Sequence, residues 1–119
     1  MRRTPVQFDE QVFRKFDLNS LITFLVVYRE RGVSRAARAL NVTQPAVSNS
    51  LRKLRRRFDD PLFIPLGRHV EPTPKAILIA ETLAPALSDV QGVIALDEGI
   101  TWGDETADLK ISNPPDYAS

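Results

Sequence analysis

Apolar residues recur four, three and four apart in two stretches of this chain, and each stretch predicts a helix. In the first, Val47, Leu51, Leu54 and Phe58 form one stripe, and the opposite side carries Gln44, Ser48, Asn49, Arg52, Lys53, Arg55 and Arg56. Thr43 is placed to cap this helix, and Pro45 falls in its first turn, where a missing N–H costs nothing. Upstream, Leu18, Leu21, Phe24, Leu25 and Tyr28 predict a helix over Leu18 to Arg31, with Asp17 as its N-cap and Gly32 at its stop. Between these two lies Arg35-Ala36-Ala37-Arg38-Ala39-Leu40, rich in strong helix formers, with Ser34 as the expected N-cap. Asn41 marks the turn that follows, where a left-handed residue is needed.

The second stretch is longer. Ala76, Ala80, Leu83, Leu87, Val90 and Ile94 make a heptad seam, narrower than a core-facing stripe, in a helix expected from Lys75 to about Leu96. Thr73-Pro74 supplies its start, and Pro85 should kink it or loosen one turn. A small winged domain already has its own core, so the seam is expected to pair with a second copy. Before this helix, Leu62-Phe63-Ile64 and His69-Val70-Glu71 flank Leu66-Gly67-Arg68, which reads as a β-hairpin with its glycine at the tip. Pro65 confines its strand to an edge, and Arg68 and His69 are expected to point outward. Residues 1–16 are mixed. Phe8, Val12, Phe13 and Phe16 fit either a short amphipathic helix or a loose arm carrying Arg2 and Arg3.

The net charge of +1 over 119 residues hides an asymmetry. Up to Lys75 there are 15 Lys and Arg against 7 Asp and Glu; from Ala76 onward there are 1 and 8. A basic half joined to an acidic half implies that the first half meets a polyanion. There is no cysteine, hence no disulfide and no thiolate metal site. A single histidine, no glycine-rich phosphate loop and no paired-carboxylate cleft leave no catalytic constellation, so an enzyme is not expected. Met1-Arg2-Arg3 leads into polar residues, so no signal peptide is expected. The longest apolar run, Leu25-Val26-Val27-Tyr28, is too short to span a bilayer, so no membrane partner is expected either.

Two short helices with a tight turn, the second polar at its start and basic at its end, have the layout of a helix-turn-helix that reads double-stranded DNA. Gln44 suits adenine N6 and N7 in bidentate fashion, Pro45 and Ala46 offer apolar surface to thymine methyls, and Ser48 and Asn49 reach the next bases. Ser34 and Thr43 sit at helix starts, where hydroxyls and free N–H groups meet phosphates. Arg35, Arg52, Lys53 and Arg56 are phosphate candidates, and Arg68 suits an adjacent minor groove. Arg38, Arg55 and Arg57 are expected to be solvated or paired with Asp59 and Asp60. His69 reads as a surface residue of the wing.

The stretch LNVTQPAVSNSLRKLRRRFDDPLF resembles the DNA-binding domain of LysR-type transcriptional regulators. Thr43-Gln44-Pro45-Ala46-Val47-Ser48 and Pro61-Leu62-Phe63 stand in register with the family's pattern, and the likeness covers about Phe16 to Leu96. Departures are Arg55 where Glu is common, Asp59 where Gly is common, Pro65 in place of a wing Arg, and Lys75-Ala76 in place of Ala-Gly. The resemblance implies a mainly α fold: a winged helix-turn-helix of three helices plus a β-hairpin wing, followed by a long dimerisation helix. It implies base reading by Gln44, Pro45, Ser48 and Asn49, with Asn49 setting promoter choice.

The expected division is an arm at 1–16, a winged helix-turn-helix domain at 17–73, a linker and dimerisation helix at 74–96, and a hinge with the start of an effector-binding domain at 97–119. Leu109-Lys110-Ile111-Ser112 alternates like the start of a strand and would begin that domain, whose remainder lies outside this sequence; either a fragment of a longer regulator or a naturally short protein is expected, with the fragment favoured. No cofactor is expected here, since the family's small-molecule inducer would bind the effector domain. The expected function is a cytoplasmic, nucleoid-associated regulator that binds a dyad-symmetric promoter as a homodimer or higher oligomer, with RNA polymerase a further partner of the full-length protein. The alternative is an interaction module that pairs with a full-length relative through its linker helix.

Overall fold

The structure is a computed structural model and describes residues 6–97. The order is α1 (Glu10–Arg14), α2 (Leu18–Glu30), α3 (Val33–Leu40), α4 (Gln44–Phe58), β1 (Phe63–Leu66), β2 (His69–Pro72) and α5 (Pro74–Asp97). The expected fold class is the one observed: helical, with one small antiparallel sheet and a long final helix. The two expectations for the N-terminus resolve to one short helix. Asp9 caps α1 by accepting from the Gln11 N–H at 2.9 Å, and none of its residues is buried. Arg2, Arg3, the acidic stretch past Asp97 and the start of a further domain expected at Leu109 lie outside the described residues.

Asp17 caps α2 through the Asn19 N–H, as expected. The phase of its buried face differs from the expected stripe. Ser20, Phe24, Val26 and Val27 are buried, whereas Leu18 is 51% exposed. An apolar-only pattern could not include a serine in the core face, and that omission turned the expected stripe away from its true direction. The exit from α2 also differs. Arg31, not Gly32, takes the left-handed conformation (φ 57°), and Gly32 is the extended N-cap of α3. Ser34 therefore lies inside the first turn and caps nothing. The link between the two helices is only two residues long, so the reversal falls on the first and α3 begins at once after the second. A Cβ at Gly32 would stand 3.0 Å from the Arg35 guanidinium, which would have to give by a few tenths of an ångström.

Phe24, Val27, Val47, Leu51, Leu54 and Leu62 have their side chains fully enclosed and form the heart of the first unit. Phe63 joins them from β1, its ring 5.3 Å from that of Phe24. Burying side chains of this size stabilises by about 1.5–3 kcal/mol each. The hairpin pairs Phe63 with Pro72 and Leu66 with His69, with Gly67 at φ 63° in its turn. The Val70 N–H donates to the Arg31 carbonyl at 3.0 Å, which ties the wing to the end of α2.

One polar junction holds α4, the wing and α5 together. The Asp60 carboxylate accepts from the Leu62 N–H at 2.8 Å and from the Thr73 hydroxyl at 2.7 Å. Thr73 Oγ1 in turn accepts from the Ala76 N–H, as an N-cap should. Leu62 itself has φ 67°, and the Phe63 N–H donates back across it to the Pro61 carbonyl at 2.7 Å. That is a γ-turn with a positive central φ, a strained form for a leucine. Its complete burial and the Asp60 bond hold it there. The Thr73 hydroxyl first, then the Leu62 amide, lower the Asp60 pKa from its ordinary 3.8; the Lys75 charge adds to the effect and desolvation opposes it.

The chain divides into two compact units, the first ending at Ala80 and the second beginning at Glu81. Helix α5 carries Pro85 in its interior and is long and apolar enough to cross a membrane by length and composition alone.

Candidate nucleic-acid interface

The turn between α3 and α4 is built by local chemistry. Asn41 adopts φ 58° and ψ 46°, as expected. Its N–H donates to Ala37 and Arg38, and the Val42 N–H donates to the Ala37 carbonyl at 3.0 Å. This six-to-one bond is the Schellman way of closing a helix. Two residues later Thr43 is extended, and its hydroxyl accepts from the Ala46 N–H at 3.3 Å. The expected cap and the proline in the first turn are both present. Val47, Leu51 and Leu54, each 1% exposed, fasten α4 to the core by its inner side. Phe58 completes that stripe half-buried, its ring tilted against that of Phe16 with centroids 5.5 Å apart.

What remains outside is a continuous polar face. Thr43, Gln44, Pro45, Ala46, Asn49 and Arg52 are exposed, and Ser48 is half-buried beside them. Arg52 donates from its guanidinium to Asn49 Oδ1 at 2.6 Å, so these two side chains are pre-oriented as a pair three residues apart on one face. Lys53 and Arg56 are exposed one turn further on. Arg68 is exposed in the turn of the wing.

The structure gives several candidates other work. Arg35 donates to the carbonyls of Glu30 and Arg31, both at 2.9 Å, and so closes the end of α2 from the first turn of α3. Expected as a phosphate contact, it is instead engaged as a helix cap. Ser34 is exposed beside it without a capping bond. Arg55 donates to the Pro61 carbonyl at 3.0 Å, and Arg57 lies over the Phe16 ring at 5.8 Å. Both, like Arg38, are exposed, which fits the expectation of solvation and not that of pairing with Asp59 or Asp60. Asp60 is engaged by Leu62 and Thr73, and Asp59 ends α4 in the left-handed conformation. Lys75, missed in the sequence, donates to the Phe58 carbonyl at 2.8 Å and closes α4. His69 is exposed, 3.3 Å from a Glu71 oxygen. No group of three or more His, Cys, Asp or Glu able to hold a metal exists among the described residues.

The seam on α5 needs correction at one end. Ala76 is fully buried and Ala80 nearly so, so neither offers a surface to a partner. Their small side chains let the helix start close against the chain's own atoms. Leu83 and Leu87 are half-buried, while Val90 and Ile94 are about half exposed. Leu78, Val93 and Leu96, which the heptad reading left out, are each at least 60% exposed. The apolar surface of α5 is thus broader than a single seam.

A three-helix core whose second and third helices form a helix-turn-helix, with a two-stranded wing, defines a winged helix-turn-helix protein. The family model described as the bacterial regulatory helix-turn-helix protein, lysR family, matches residues 18–77. The chain belongs to the LysR family. It is similar to the transcriptional activator NagR of a Ralstonia species, 45% identical over 78 residues, covering 66% of this chain and 26% of NagR. Among solved structures it resembles the probable transcriptional regulator PA0477 of Pseudomonas aeruginosa, with 37% identity, a TM-score of 0.64, and coverage of 68% of this chain and 27% of that one. It also resembles the DNA-binding domain of BenM in complex with catB site 1 DNA, with 25% identity, a TM-score of 0.64, and coverage of 75% and 100%. The chain spans about a quarter of the length of the curated relatives it matches.

Proposed function

We propose that this chain is the DNA-reading module of a LysR-type transcriptional regulator. It binds a dyad-symmetric promoter site as a dimer, with α4 in the major groove and the wing near the minor groove. The observation that carries this reading is the division of α4: one side locked into the core by Val47, Leu51 and Leu54, the other presenting Gln44, Pro45, Ala46 and Asn49 to solvent. The BenM domain that this chain resembles was crystallised on its DNA site, which supports the same use here. Gln44, Pro45, Ala46, Ser48 and Asn49 read bases. Thr43, Arg52, Lys53 and Arg56 meet phosphates, Ser34 adds a hydroxyl at the start of α3, and Arg68 serves the minor groove. Arg35 contributes only through the donors that its capping bonds leave free.

Dimerisation runs through α5, with Leu83, Leu87, Val90 and Ile94 at its centre and Leu78, Val93 and Leu96 widening it. The site of action is the cytoplasm, at the nucleoid, and the full-length protein assembles to a dimer or higher oligomer and engages RNA polymerase. No cofactor is needed for DNA reading; a small inducer would act through an effector domain. The exposed apolar surface of α5 also favours a second reading, in which the chain pairs with a full-length relative and blocks it.

Titration of the purified chain against operator and scrambled duplexes tests the first reading. Gln44→Ala should cost about 1–3 kcal/mol on the operator and relax preference at one base position. Arg52→Ala should weaken operator and scrambled DNA alike and flatten the salt dependence by about one unit of slope. Equal loss on both duplexes for Gln44→Ala would remove α4 from the groove. A footprint showing one asymmetric half-site would remove the dyad. Capture of a relative's linker helix without operator binding would select the second reading.

A further inference from the structure

Beside the reading face of α4 lies a groove of about 530 Å³, lined by Arg14 and Lys15 from α1 and its end, by Phe16, Asp17 and Ser20 around the start of α2, and by Lys53, Leu54, Arg56 and Arg57 from α4. Five cationic side chains face one carboxylate. None of the five has an ion-pair partner among the described residues. The single carboxylate, Asp17, already accepts from the Asn19 N–H. Ser20 is 2% exposed, and its hydroxyl is buried without a hydrogen-bond partner. Buried hydroxyls are ordinarily satisfied. The positive end of α2 opens on the same space, which favours an anion further. An unbalanced cationic groove, a helix N-terminus and an orphan hydroxyl together describe a seat for an oxyanion.

We infer that the groove seats a backbone phosphate of DNA lying outside the bases read by α4. This rests on the proposed placement of α4 in the major groove. Lys53 stands four residues after Asn49, and Arg56 four after Arg52, so the groove continues the exposed face of α4 about 6 Å further along its axis. A phosphate strand leaving the reading face therefore passes the groove next. Arg14 and Lys15 precede the residues matched by the family model, which begin at 18. Helix α1 and its end thus extend the reading head beyond the segment the family model matches, and they enlarge its footprint on flanking DNA of any sequence.

The test uses the whole chain and the double variant Arg14→Gln/Lys15→Gln. No residue of α1 is buried, so the fold should persist, and circular dichroism checks this. Both proteins are titrated at several salt concentrations against an operator with long flanks and one trimmed to the base-read positions. On the long duplex the variant should lose about one unit of salt slope, since the groove seats one phosphate and each phosphate contact contributes about 0.9. On the trimmed duplex the two proteins should behave alike. A methylphosphonate walk along the flank should then find one neutralised linkage that weakens the wild type severalfold and the variant, which keeps Lys53, Arg56 and Arg57, distinctly less. Equal slopes on the long duplex, with operator preference intact in both proteins, would overturn the groove's role. Loss of operator preference by the wild type itself would instead overturn the placement of α4, a separable result.

Discussion

Helices α4 and α5 carry apolar residues at the same four-three-four spacing, yet Val47, Leu51 and Leu54 are each 1% exposed whereas Val90 and Ile94 are 50% and 52% exposed. The stripe of α4 is covered by its own chain: Phe24 and Val27 from α2, and Leu62 and Phe63 from the start of the wing, complete the core it enters. The far part of α5 leaves apolar side chains in solvent on several sides, and such a surface on a long helix indicates a partner. Spacing alone does not tell a core helix from an interface helix. The difference lies in what the rest of the chain has available to cover each one.

The largest expected effect comes from placing charge on the uncovered helix. Leu83→Glu/Leu87→Glu puts four carboxylates into the proposed dimer seam and removes four leucines, each worth about 1.5–3 kcal/mol when buried. The dissociation constant should rise by at least about a thousandfold, roughly 4 kcal/mol, while the helix-turn-helix unit stays folded. Sedimentation should show monomers; a double variant that still dimerises would place the interface elsewhere. Leu51→Ala probes the covered helix. It should cost about 2–5 kcal/mol of folding stability, at every protein concentration, because its contacts are within one chain. A concentration-dependent loss would mean that α4 too is completed by a partner.

The elements that local chemistry dictates were legible before the structure. Asp17, Thr43 and Asn41 occupy the positions their side chains suit, and the Gly67 turn falls where the hairpin needs it. The misreadings are equally physical. Ser34 is a good capping residue by type, but the two-residue link from α2 had already started α3 at Val33. Leu18 fits an apolar stripe, but the true one runs through Ser20. Arg35, expected at a phosphate, also closes the end of α2, and Lys75 closes α4, a role its place in the sequence did not reveal. No spacing rule finds Asp60, because its partners Leu62 and Thr73 are joined only when the wing folds back. The polar face of α4 was readable because a helix exposes whatever its stripe does not bury.

Asp60 also offers a pH test of the junction that precedes α5. Its folded pKa is lowered from 3.8 by the Thr73 hydroxyl and the Leu62 amide. A depressed carboxyl contributes stability that is present above its unfolded pKa and is lost as pH falls through the folded one. The melting temperature of the wild type should therefore drop as pH is taken below 3.8. Asp60→Asn, which has no charge to lose, should start from a lower melting temperature at neutral pH and show a shallower acid decline. Parallel curves for the two proteins would mean that another carboxylate governs the acid limb.

The smallest effect tests whether the reading head is optimised where it meets the wing. Asp59 closes α4 at φ 51° and ψ 50°, with its N–H donating to the Arg55 carbonyl and the Asp60 N–H donating to the same oxygen at 3.2 Å. The left-handed conformation costs an L-residue about 1–2 kcal/mol, and aspartate somewhat less than most. Its carboxylate also sits at the negative end of the α4 dipole, which is unfavourable. Glycine removes both penalties but gives the unfolded chain more freedom, a loss of about 0.4–1 kcal/mol. The balance favours glycine slightly: Asp59→Gly should raise stability by about 0.5–1 kcal/mol. Asn41→Gly, at a nearly identical backbone conformation, should gain less, because asparagine tolerates it better and carries no charge. Thermal melts of the two variants side by side decide the matter. If Asp59→Gly melts no higher than the wild type, the carboxylate has a compensating contact and the end of α4 is better built than its backbone angles imply.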